Sequence, residues 1–470
     1  MYALTSVLQR LNRWWRSGAV DRDFIYSTVR SEFHTVAKQL KKRRILAVVG
    51  PRRVGKSTLL FQTIDHLLKA GTKPIHVLFF SGDEPALFTE TNTIGDILTA
   101  YETDILQQNL EDLAETIYVI IDEIHFISNW QQWLKSYYDR KYRVKFIVSG
   151  SSSTHLFHGA RESLLGRMDT VNILPLCFDQ FAAFRDVYRG DGGVLGLQAL
   201  LPEFSFFDDP LAYARILMER QSEIEECRIP AGRVLNEYLL VGGYPEFFAS
   251  DSILLWQKQL TEDIIARGLF RDIVGIYTVK NPELLEKLLY FVAANSGQPH
   301  AYTTLAQTLG VDFQTVSNYL SYLKSAFMVG ILDNYSTNIG KVIRKNKKLY
   351  ITDCGLRNAL LRASMLEDGA TGHIAEGCAV TAALACAQEN LYAVNYWSAS
   401  GGHKEVDIVL DKKISVLPVE VKFRGKISDE DLSGIRAFLK NFGGGAGAVI
   451  TKDTLDIRDN IALVSLWMVR

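Results

Sequence analysis

The 470-residue chain is short of the features that mark several broad classes of protein. It holds five cysteines, Cys177, Cys227, Cys354, Cys378 and Cys386, and none of them form a C-x-x-C pair. Such usage fits a reduced compartment and argues against a zinc module. No window approaches 18 uninterrupted apolar residues, so no membrane span is expected. The N-terminal stretch MYALTSVLQRLNRWWRSG is amphipathic and lacks the continuous apolar run of a signal peptide. The net charge is −1, which provides no global basic field, so any contact with nucleic acid must come from local patches. Neither an internal repeat nor a low-complexity tract is evident. These absences lead to the expectation of a cytoplasmic protein with no membrane partner.

Hydrophobic residues make up 47% of the chain and charged residues 22%, the balance of a globular protein. The length exceeds one ordinary core, so two to four domains are expected. Near the N-terminal end, Gly50-Pro51-Arg52-Arg53-Val54-Gly55-Lys56-Ser57 fits the phosphate-loop pattern G-x-x-x-x-G-K-[ST] without departure. The β-branched run Ile45 to Val49 before it reads as a buried strand, and Thr58 onward opens a helix. In that context backbone N–H groups turn inward around a phosphate at the helix N-terminus. Lys56 would reach the β- and γ-phosphates, and the Ser57 hydroxyl would ligate Mg²⁺. A bound ATP is the expectation.

Four apolar runs, ILAVVG, IHVLFF, YVIID and KFIVSG, alternate with helical patterns between residues 45 and 150. They predict parallel strands of a doubly wound α/β domain. Asp122, at the end of the third run, is placed to hold Mg²⁺ opposite Ser57. The adjacent Glu123 is the natural base for an attacking water. The fourth run ends in Ser149-Gly150-Ser151-Ser152-Ser153, where a hydroxyl either contacts the γ-phosphate or simply makes a turn; Ser149 is the candidate. Of Arg161 and Arg167, Arg167 is the preferred arginine finger for a neighbouring subunit; the bland alternative is a solvated surface side chain.

The segments Asn12-x-Trp14-Trp15, GPRRVGKSTLL, IIDEIH, SGSSS and LLGR to PLCFDQF together resemble AAA-type ATPases of bacteria and archaea. In those proteins a C-terminal domain of unknown function follows the ATPase. The later segments GGYPEFF, RDI, KKLYITDCGL and EVDIVL…VEVK match that domain. The resemblance implies an AAA-like ATPase domain, a winged helix and a restriction-endonuclease-like end. It also implies a homo-oligomer, which in many AAA-type proteins is a ring.

The pattern from about 185 to 295 is mainly helical, with a glycine-rich break at Gly190 to Gly196. Residues 303–311 and 314–320 then read as a helix, a tight turn containing Gly310 and a second helix, the helix-turn-helix arrangement. Val316, Leu320 and Leu323 share its buried face, leaving Gln314, Thr315, Ser317, Asn318 and Tyr322 free to face a groove. Lys341, Arg344, Lys345, Lys347 and Lys348 would sit on a wing and neutralise phosphates of DNA. A winged helix used for packing or protein contacts is the competing reading.

The C-terminal end holds Glu376 on a probable helix, Asp407 in EVDIVL, and Glu420 and Lys422 in VEVK. Strand alternation puts Glu420 and Lys422 on one face, where Asp407 can meet them. Two carboxylates holding Mg²⁺ or Mn²⁺, with a lysine to orient water, are what metal-assisted phosphodiester cleavage requires. This D…E-x-K pattern resembles the restriction-endonuclease-like superfamily, with Glu376 as its extra helix-borne acid. A structural salt bridge, or a nuclease fold that no longer cuts, explains the same residues. The expected layout is an N-terminal amphipathic segment (1–30), an ATPase domain (31–185), a helical connector or lid (186–295), a winged helix (296–350) and a restriction-endonuclease-like α/β domain (351–470). The expected function is Mg-dependent ATP hydrolysis coupled to DNA binding, with metal-dependent cutting by the last domain. Its alternative is a nucleotide-dependent switch whose nuclease-like domain binds protein or DNA without cutting.

Overall fold

A computed structural model describes the chain except residues 1, 27, 89–92, 152–163, 190–195, 275, 276, 278, 339, 341, 343, 344 and 400–403. The chain divides into two compact units, Met1–Ile173 and Leu174–Arg470. Arg161, Ser152, Ser153, Lys341, Arg344 and most of the Gly190 to Gly196 break lie outside the described residues.

In the first unit the four apolar runs form β1 (Ile45–Val49), β2 (Val77–Ser81), β3 (Ile117–Asp122) and β4 (Val144–Gly150). A further strand, β5 (Met168–Asn172), completes a parallel sheet in the order β2-β3-β4-β1-β5. β1 is buried at every position, as befits a central strand covered on both faces. β5 lies at the sheet edge with only Val171 buried, so it lacks the apolar run that marks the other four strands.

The opposite edge, β2, is covered by the N-terminal segment. The Asn12 side chain donates to the Phe79 carbonyl at 2.8 Å and accepts the Phe79 N–H at 2.6 Å, standing in for a neighbouring strand. The indoles of Trp14 and Trp15 both donate to the Val77 carbonyl, at 3.0 and 2.9 Å. An edge occupied this way cannot template pairing with another chain.

The second unit opens with helices, the longest being Gln221–Val241. The motif segments GGYPEFF and YITDCGL meet there. The buried Asp353 carboxylate accepts the Gly243 N–H and the Leu356 N–H, both at 2.7 Å, the latter capping helix Cys354–Leu361. A Cβ on Gly243 would lie 2.1 Å from the Leu176 carbonyl oxygen, and one on Gly355 would lie 2.0 Å from that of Val241. These glycines are needed for close packing of backbone on backbone.

The helix-turn-helix comprises Tyr302–Leu309, a left-handed Gly310 and Phe313–Ser325 capped by Asp312. Val316, Leu320 and Leu323 are buried as their spacing predicts. Tyr322 departs from expectation, since it stacks on Tyr277 with ring centroids 3.9 Å apart.

A nine-stranded sheet follows, in the order β13-β14-β12-β11-β10-β9-β7-β8-β6. Its strands are β6 (Pro299–His300), β7 (Val329–Asn334), β8 (Lys347–Ile351), β9 (Ala393–Ser398), β10 (Glu405–Asp411), β11 (Val416–Lys422), β12 (Gly447–Thr451), β13 (Asp456–Arg458) and β14 (Ile461–Ser465). β9, β10 and β11 are antiparallel, β11, β12 and β14 parallel. A short parallel pairing of β7 with β9 makes the strands beside the helix-turn-helix continuous with the C-terminal sheet. No helix among the described residues is long and apolar enough to cross a membrane.

Candidate functional site

Parallel pairing places the carboxyl ends of β1, β3 and β4 along one edge of the first sheet, where α/β folds bind ligands. Gly50 leaves β1 there, and a Cβ on it would lie 2.0 Å from the Ile173 carbonyl oxygen. Gly55 has φ +92°, and a Cβ there would meet nothing within 4 Å, so its conformation alone calls for glycine. Pro51, Arg52, Arg53 and Val54 form the loop between them, with Arg53 in the left-handed region at φ 65°. Helix Lys56–Lys69 starts directly after the loop, carrying Lys56, Ser57 and Thr58 in its first turn.

The Lys56 ammonium is buried and donates to the Gly50 and Pro51 carbonyls at 3.0 and 2.9 Å. Ser57 donates to one oxygen of the buried Asp122 carboxylate at 2.6 Å, and Ser149 donates to the other. Ser149 also accepts the Glu123 backbone N–H at 2.9 Å. Glu123 itself sits in the left-handed region at φ 46°. His125 Nδ1 lies 3.2 Å from a Glu123 carboxylate oxygen. The buried Ser151 hydroxyl has no hydrogen-bond partner among the described residues.

Sequence reasoning missed Arg30, which is buried and donates to the Val54 carbonyl at 2.6 Å. An ion pair with Glu32 at 3.0 Å also holds that guanidinium. A lone arginine 24 residues before its acceptor leaves no spacing signal.

Arg167 stands apart from this edge. It immediately precedes β5, whose Met168 is level with Ile45 at the start of β1. The two ends of these five-residue strands are about 16 Å apart. Its guanidinium forms a two-pronged pair with Asp139 at 2.8 and 3.2 Å.

Residues 42–182 match the AAA domain family. The AAA match covers the phosphate loop, Asp122, Glu123, Ser149 and Arg167. Residues 232–367 and 371–469 match two domains of unknown function, DUF8612 and DUF4143. An uncharacterized protein of Methanocaldococcus jannaschii is 24% identical over 90% of this chain and 84% of its own length. One of Haemophilus influenzae is 26% identical over 67% of this chain and 68% of its own. Among solved structures, a Walker-type ATPase of Pyrococcus abyssi is 15% identical, with a TM-score of 0.41 over 74% of this chain and 97% of that one.

The second unit holds the second candidate constellation. The register that sets Ile408 opposite Val419 puts Asp407 beside Glu420. Lys422 donates to Glu420 at 2.6 Å, and Asp407 accepts the Val421 N–H at 3.0 Å. Glu376, on helix Asp368–Asn390, accepts the Tyr350 hydroxyl at 2.7 Å.

Lys348 corrects the sequence reading. It was expected on an exposed wing, but its side chain is 3% exposed and points into the carboxylates. Its ammonium lies 3.3 Å from Glu376 and 3.3 Å from Asp407, and it pairs closely with Glu405. Of its described neighbours, Lys345 donates to Asn334 at 2.8 Å and Lys347 pairs with Asp333.

Burial alone would lower the Lys348 pKa, but Asp407, Tyr350, Glu376 and Glu405 together hold it well above the ordinary lysine value. Burial and then Glu376 push Asp407 up to about 6. Burial and then Asp407 push Glu420 up to about 8, despite the opposing Lys422. Burial would also raise Glu376, but His373, Lys348 and Tyr350 keep it below the usual carboxylate value. Among the described residues no group of three or more His, Cys, Asp or Glu side chains is arranged to hold a metal.

Proposed function

We propose that the first unit binds ATP with Mg²⁺ and hydrolyses it to ADP and phosphate. The observation that carries this reading is the Ser57–Asp122 hydrogen bond of 2.6 Å at the mouth of an intact phosphate loop, with Glu123 next in the chain. A hydroxyl and a carboxylate are the hard oxygen donors Mg²⁺ prefers, so Ser57 and Asp122 suit the ion. Once bound, Mg²⁺ would neutralise charge on the β- and γ-phosphates. Backbone groups from Gly50 to Thr58 cradle the phosphates, and Lys56 leaves the Gly50 and Pro51 carbonyls to meet them. Glu123 orients and deprotonates the attacking water. Ser149 holds Asp122 and the Glu123 backbone, and the unpartnered Ser151 hydroxyl has a donor to offer the γ-phosphate. Arg167, at the far end of its own sheet, serves as a finger only in a neighbouring subunit of a homo-oligomer. Phosphate release measured with and without Mg²⁺ tests the proposal. It should require the ion and disappear in Lys56→Ala; metal-independent turnover that survives this change would sink it.

For the second unit we propose a winged helix and a nuclease-like fold that engage DNA or protein without cutting. Asp407, Glu420 and Lys422, with Glu376, keep the charge pattern of metal-assisted cleavage, which supports the fold assignment. The buried Lys348 among those acids favours the non-cutting reading over Mg²⁺- or Mn²⁺-dependent cleavage. Single-stranded, linear and supercoiled DNA should stay intact with either metal, with or without ATP. Cutting that vanishes in Asp407→Ala would overturn this and establish a nuclease.

A further inference from the structure

We propose that Lys348 is a built-in cation that takes the place of a divalent metal among Glu376, Glu405 and Asp407. This rests on the non-cutting reading of the second unit and supplies its cause. A hard divalent ion needs several oxygens converging on one point at about 2.0–2.6 Å. Here the point of convergence is the Lys348 ammonium, 3.3 Å from Glu376 Oε1 and 3.3 Å from Asp407 Oδ1 and paired with Glu405.

Glu376, Asp407 and the neighbouring Glu420 have further partners. Glu376 Oε1 accepts the Tyr350 hydroxyl at 2.7 Å, and its Oε2 faces His373 Nδ1 at 3.9 Å. Asp407 Oδ2 accepts the Val421 N–H at 3.0 Å, and Glu420 Oε1 is taken by Lys422 at 2.6 Å. Glu420 Oε2 is buried without a hydrogen-bond partner among the described residues.

Lys348 is also held in place from behind. It lies within β8, paired on one side with Leu332 of β7 and on the other with Pro299 of β6. Its ammonium stands 5.5 Å from the centre of the Tyr396 ring, which walls the pocket. A tethered ammonium costs no translational entropy to bind, whereas Mg²⁺ must shed tightly held water to displace it. Expelling Lys348 would leave its own buried charge without the carboxylates that compensate it. The acids thus persist as an internal ion network that fastens β8, β10 and helix Asp368–Asn390 together.

Mn²⁺ titration of the 470-residue chain without nucleotide, read by electron paramagnetic resonance, tests this. Any ion at the phosphate loop is common to all variants, so differences report the second cluster. The parent and Asp407→Asn should bind the same number of Mn²⁺ ions. Lys348→Met, which keeps length and removes charge, should bind one more per chain, and Lys348→Arg should not. A parent that loses a bound ion on Asp407→Asn would overturn the proposal, even if Lys348→Met failed to fold. A folded Lys348→Met that gains no ion would overturn it as well. Metal binding by a parent that still leaves DNA intact would remove the resident cation while sparing the non-cutting reading.

Discussion

Ser149 couples to Glu123 through the backbone rather than the side chain: its hydroxyl accepts the Glu123 N–H at 2.9 Å while donating to Asp122. Glu123 holds a left-handed conformation at φ 46°, which costs a non-glycine residue about 1–2 kcal/mol. The serine therefore offsets local strain at the residue expected to handle the water. Ser149→Ala should leave nucleotide affinity within about twofold and slow phosphate release by about tenfold, the worth of one hydrogen bond. Fluorescent-nucleotide binding and single-turnover hydrolysis separate the two effects. A loss confined to affinity would instead make Ser149 a phosphate ligand.

Glu123→Gln removes the proposed base while keeping the size of the side chain. Nucleotide binding should persist, and turnover should fall by about 10²–10⁴-fold. Turnover equal to that of the parent would remove Glu123 from the chemistry.

Arg167 and Lys56 can be tested as a pair. If the guanidinium acts across subunits, mixing Arg167→Ala with Lys56→Ala protein should restore part of the turnover that each lacks alone. In mixed assemblies, some intact loops then face an intact arginine. No recovery, in a sample shown to exchange subunits, would assign Arg167 to its Asp139 pair alone.

Asn12→Ala should destabilise the first unit by roughly 2–4 kcal/mol, because a fully buried amide that serves both backbone groups of Phe79 is lost. Denaturant unfolding followed by tryptophan fluorescence would show the shift, and light scattering would report self-association through the freed β2 edge. An unchanged midpoint would mean that the edge is held by Trp14 and Trp15 without it.

The raised carboxyls give the second unit a defined pH response. Asp407 and Glu420 bind protons more tightly folded than unfolded, with folded values of about 6 and about 8 against ordinary values of 3.8 and 4.5. Their contribution to stability is fully present below about pH 4 and is lost as pH rises through about 6 and then about 8. Thermal unfolding should show the second unit weakening between pH 5 and pH 8, with a smaller loss in Glu420→Gln. An identical slope in both proteins would mean that Glu420 does not titrate in that window.

Wherever candidate residues lay close together in the chain, their local placement could be read directly. Gly50 to Ser57 form one loop and the start of its helix, Asp122 ends one strand with Glu123 next in the chain, and Glu420 and Lys422 alternate on another, so local geometry follows from backbone periodicity alone. The four buried parallel strands carried unbroken apolar runs for the same reason. β5 was missed because an edge strand buries only Val171 and offers no such run.

Only the tertiary structure decided what Lys348, Arg30 and Asn12 do. Each acts on a partner between 24 and 67 residues away, and no local period encodes such a meeting. Lys348 sits in a basic stretch that reads as exposed, yet pairing of β8 with β7 and β6 turns it into the carboxylates. From Glu376, Asp407, Glu420 and Lys422 the sequence determined which charges are available. The fold determined which of them are already neutralised, because that depends on distances of a few ångströms between strands far apart in the chain.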